Sequence, residues 1–150
     1  MSKVTAVYDA LVLELSSLFP NKTRIPYSYS LGDNNARFLI DGYGLSIGAS
    51  NFEQFEFCNF MNARDVSVVL TREVFRTDSD ASVIDSITKE LMESVYDVQK
   101  LFYSYNELGV PNDIAKVDIG SVSAVEEVLS GKQSFLSMTA TFQFYIIESL

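Results

Sequence analysis

The side chain with the most chemical potential in this chain is Cys58, its single cysteine, and no histidine accompanies it anywhere in the sequence. A thiol becomes a nucleophile when a nearby base or cation holds it as thiolate, and histidine is the usual base. Cys58 instead sits in an alternating stretch, Phe57-Cys58-Asn59-Phe60, where a packed structural thiol is expected. The lack of histidine also removes Ser-His-Asp triads, histidine-based zinc sites and the usual pH switch. A lone cysteine closes no internal disulfide and supplies no multi-cysteine metal site, which fits a reducing compartment.

Other constellations dissolve on inspection of their spacing. In Gly42-Tyr43-Gly44-Leu45-Ser46-Ile47-Gly48 the third glycine falls one position late for a dinucleotide-binding turn, and the segment joins strands rather than opening a helix. Its glycines, Gly42 and Gly44 above all, read as bend or bulge sites. The carboxylates Glu126-Glu127, Glu53 and Glu56 read as solvated charge, since paired acid/base work needs a fixed separation within a cleft. Asp78-Ser79-Asp80 lacks the glycine and terminal glutamate of a calcium loop and suits helix capping. Asn21-Lys22-Thr23 fits a glycosylation pattern but follows no secretory signal, so it reads as a turn. Phe52, Phe55, Phe57 and Phe60 have no interleaved Lys or Arg and suit a core or subunit interface better than base stacking. No catalytic, cofactor-binding or metal-ligating residue is assigned, and binding or assembly is expected rather than catalysis.

Composition points the same way. A chain of 150 residues, 47% hydrophobic and 13% aromatic, is the size of one domain and has ample core. Eleven basic against twenty acidic residues leave a net charge of −9, which disfavours ordinary contact with phosphate backbones or anionic lipid. Lys3 alone precedes the first apolar stretch, which Asp9 and Glu14 interrupt, so neither a signal peptide nor a membrane span is expected.

Apolar residues at Val4, Val7, Tyr8, Leu11, Leu15 and Leu18 have helical spacing, and Pro20 stops the helix near Phe19. From Ile25 the period becomes two, through Tyr27, Tyr29 and Leu31, with Pro26 favouring a sheet edge. Gly32-Asp33-Asn34-Asn35 is turn chemistry, and Arg37 to Ser46 reads as a second strand in a hairpin with the first. Asn51 to Met61 reads as one alternating strand and Arg64 to Arg76 as an inner strand. After capping candidates at residues 77–80, a long helix runs from Ser82 with an apolar stripe through Val83, Ile84, Ile87, Leu91, Val95, Val98, Leu101 and Phe102. Gly109 and Pro111 close it. Ala115, Val117 and Ile119 suggest one strand face, Ser123 to Leu129 a loop or short helix, and Ser130-Gly131-Lys132 a turn.

The run from Ser134 to Glu148 alternates throughout. Leu136, Met138, Ala140, Phe142, Phe144 and Ile146 form a core face. The other carries Phe135, Ser137, Thr139, Thr141, Gln143, Tyr145 and Ile147, of which Ser137, Thr139, Thr141 and Gln143 are the candidate subunit interface. Fully extended, the run reaches roughly 50 Å against ~17–20 Å for a typical strand, so it is expected to bend or to project beyond its own domain. The whole predicts a single α+β domain, a largely antiparallel sheet with two main helices on one face.

The layout of Leu15 to Pro20, Val68 to Arg72, Ser82 to Phe102 and Phe135 to Ile147 resembles that of bacteriophage tail terminator proteins, over nearly the whole chain. The resemblance implies a structural virion protein, assembled in the host cytoplasm, that forms a homo-oligomeric ring, hexameric in that family. Such a ring caps the tail tube, meets the head connector and lets DNA pass without specific binding. It carries no catalytic residue to transfer. Another phage neck or tail-tube subunit, and a small-molecule binding domain, are the alternatives.

Overall fold

The computed structural model describes residues 3–26, 36–56, 59–75, 81–108, 114–130 and 133–149. The elements in chain order are α1 (Lys3–Leu18), β1 (Thr23–Ile25), a 3₁₀ turn (Ala36–Phe38), β2 (Asp41–Glu56), β3 (Asn59–Val74), α2 (Ala81–Leu108), β4 (Ile114–Val122), β5 (Glu126–Ser130) and β6 (Gln133–Ser149). Two helices and a six-stranded, mostly antiparallel sheet make an α+β fold, as expected. Among the described residues no helix is long and apolar enough to cross a membrane.

The sheet runs β1-β2-β3-β6-β4, with β5 also paired to β6. Because β4 takes Ile146 to Ala140 and β5 takes Ser137 to Gln133, the two share one edge of β6 in succession. Ser123 bridges them: its N–H donates to the Thr139 carbonyl at 2.8 Å and its Oγ accepts the Thr139 N–H at 2.9 Å. On the other edge β3 accompanies β6 from Asn59↔Ser149 to Val74↔Ser134 without a register shift. The long C-terminal strand therefore does not leave its own subunit. Its length is matched by a 16-residue neighbour, which supplies the backbone partners that a projecting strand would lack.

Both helices pack on one face. Val7, Leu11 and Leu15 of α1 and Leu91, Val95, Val98, Phe102 and Tyr105 of α2 share a core with Tyr43, Leu45, Ile47, Val66, Val68, Leu70, Met138, Ala140, Phe142, Phe144 and Ile146. Phe102 sits edge-on to Phe142 and Phe144, at centroid distances of 4.6 and 5.2 Å, the geometry that ring quadrupoles favour. Surface ion pairs run alongside. Lys22 meets Asp41 at 2.6 Å and Arg72 meets Glu90 at 2.8 Å, tying α2 to the sheet.

Several local expectations are corrected. β1 and β2 form no hairpin but pair in parallel, Thr23↔Gly42 to Ile25↔Gly44. β1 ends at Ile25, just before Pro26, and the 3₁₀ turn precedes β2, which runs in the same direction as β1. That turn occupies Ala36–Phe38, where a strand was expected from Arg37. Asn51 to Met61 is not one strand. It holds the end of β2 and the start of β3, paired as Asn51↔Ala63 to Glu56↔Asn59, and the alternation survives the reversal because each arm keeps its own pleat. Gly42 and Gly44 lie in unbroken register, and the shifts fall between Ile47 and Ser50 and between Gln54 and Glu56. A Cβ on Gly42 would run into the Phe38 carbonyl oxygen, so this glycine serves close approach of the 3₁₀ turn. Ala115 is skipped at a register shift between Ile114 and Lys116, so Ile114 and Val117 are buried while Ala115 and Ile119 are exposed. Ser123 to Leu129 is neither loop nor helix over its latter part, which is β5. Glu127 and Val128 there pair with Leu136 and Phe135, a strand set by its partner rather than by its own weak pattern. Tyr27, Tyr29, Leu31, Cys58 and the capping candidates 77–80 lie outside the described residues, as do the side chains of Phe52, Phe55, Phe57 and Phe60.

Candidate assembly surface

β-Strand alternation puts Thr139, Thr141 and Gln143 of β6 on the face away from the helices, half-exposed. Cross-strand register sets Val69, Ser67 and Asp65 of β3 opposite them. On the β4 side Asp118 lies opposite Gln143 and Lys116 opposite Tyr145. Lys116 pairs with Asp118 at 3.2 Å and lies over the Tyr145 ring at 5.6 Å, and the Tyr145 hydroxyl donates to Gln143 Oε1 at 2.8 Å. The result is a polar strip in which Lys116, Asp118, Gln143 and Tyr145 brace one another, with short hydroxyls at its centre.

Ser137 does not belong to that strip. At 4% exposure it is buried between Thr71 on β3 and Glu126 on β5 and has no surface to offer. Sequence alternation places it correctly on the helix-free face but cannot show that one end of that face is closed. The closure is a second small core of Ile25, Leu39 and Phe135, with Phe38, Val69 and Val128 packed against it. β1 and the 3₁₀ turn cover this end, and Thr139, Thr141 and Gln143 remain open.

The sheet's outer edge at β4 is engaged by α2. The Asn106 side chain donates Nδ2–H to the Val117 carbonyl at 2.9 Å and accepts the Val117 N–H on Oδ1 at 2.8 Å. An amide side chain thus takes the place of a further strand at this position, and nothing in the periodicity of α2 singles it out. At the far end of the long strands Asn62 is fully buried and its Nδ2 meets Glu148 Oε2 at 3.2 Å, while Arg64 donates to the Gly48 carbonyl at 3.0 Å.

A cleft of about 570 Å³ lies between β2, β3 and the first turns of α2, lined by Ile40, Arg72, Glu73, Phe75, Val83 and Ile87 among others. A second shares Phe75 and continues to Ile84, Glu127, Leu129 and Leu136. Sequence periodicity places Val83, Ile84 and Ile87 on the α2 core stripe and Leu136 on the β6 core face, but Ile84, in the first turn of α2, is left 40% exposed. Ile40, Phe75 and Leu129 stand at the ends of elements, where the repeat stops, and are not singled out. Among the described residues no three of His, Cys, Asp and Glu converge as metal ligands would. Glu126 and Glu127 stand on β5, where Glu127 accepts a hydrogen bond from Ser134 Oγ at 2.8 Å. Tyr105, near the end of α2, is buried. Burial, and then the Glu14 carboxylate, push its ionisation well above the ordinary tyrosine range.

Neither a comparison with models of protein families nor a search of curated proteins finds a match for this chain.

Proposed function

We propose that this chain is a structural subunit of a phage tail, a tail terminator that closes into a ring with copies of itself, caps the tail tube and meets the head connector. The observation that carries the reading is the helix-free face of a long sheet, whose half-buried strip of Thr139, Thr141 and Gln143 lines none of the clefts described above. Such a surface suits a subunit neighbour better than a small molecule, which favours enclosure. The net charge of −9 suits a channel wall that passes DNA without holding it.

Native mass spectrometry with negative-stain microscopy of the purified protein tests the reading. A discrete oligomer seen as closed rings is expected, because a contact joining two different patches closes when its rotation permits. Filaments would favour a tail-tube subunit instead. A monomer retaining a bound small molecule would overturn assembly in favour of a binding domain seated at the Phe75 cleft.

A further inference from the structure

We draw no further inference here: the strongest candidate, the cleft at the end of the sheet where Phe75, Ile84 and Leu129 stand exposed, carries none, because nothing in the structure shows what covers it.

Discussion

At the scale of the residue, Tyr105 shows how burial and satisfaction part company. It packs at 5% exposure against Phe102 and Phe144, yet its hydroxyl has no hydrogen-bond partner. A buried hydroxyl left unpaired contributes little or costs free energy. Its native ionisation lies above the unfolded value of about 10, so its stabilising contribution is complete below about pH 10 and is lost as pH rises beyond it. Tyr105→Phe is therefore expected to leave stability at pH 7 unchanged or raised by up to about 1 kcal/mol and to soften the alkaline decline. Urea midpoints of both proteins at pH 7 and in the alkaline range measure this. A loss above about 1.5 kcal/mol at pH 7 would mean that the hydroxyl is bonded in solution.

At the scale of the element, α2 does two things that its stripe alone does not suggest. Its buried side covers β3, β6 and β4, and near its end Asn106 closes the backbone of β4 at Val117. An open strand edge is a template for unwanted pairing, and an amide reproduces the donor and acceptor of a neighbouring strand. Asn106→Leu should cost about 1–3 kcal/mol, because it leaves the Val117 pair without partners. Amide exchange at Val117 should accelerate more than at Phe142, in the middle of β6. Unchanged protection of Val117 would show that water or a neighbouring chain already serves it.

At the scale of the whole molecule, the two faces of β6 are expected to fail differently. Phe142 is 1% exposed beneath α2, and Phe142→Asp would bury an unpaired charge and leave little soluble protein. Thr139 is half-exposed on the helix-free face, so Thr139→Arg should cost within about 0.5 kcal/mol in a monomer. If the strip meets another subunit, that arginine should weaken the oligomer, because it is desolvated without a partner. Circular dichroism and sizing chromatography on both variants separate these outcomes, and equal loss of fold would show the strand covered on both sides. The charge of −9 predicts no appreciable duplex DNA binding at physiological salt. Tight, salt-sensitive binding in a gel shift would contradict a non-adhesive channel.

The sequence by itself determined the elements whose pattern is long enough to outvote local noise. These are α1, α2, the inner β3 and the two faces of β6, and with them the α+β class with both helices on one side. Each rests on burial repeating at 3.6 or 2 residues, a property of a segment and its own side chains. Tertiary structure decided what depends on which segment lies next to which. β1 became a parallel partner of β2, with the 3₁₀ turn packed close over Gly42, and β5 became a strand because β6 had an open edge beside Phe135. Ser137 was buried because Ile25, Leu39 and Phe135 closed one end of a face that alternation marks as uniform. Leu129 and Phe75 stand far apart in the chain and line one cleft only because the ends of β3 and β5 flank the start of β6. Periodicity reports which way a residue points from its own backbone. Only long-range pairing reports what stands in front of it.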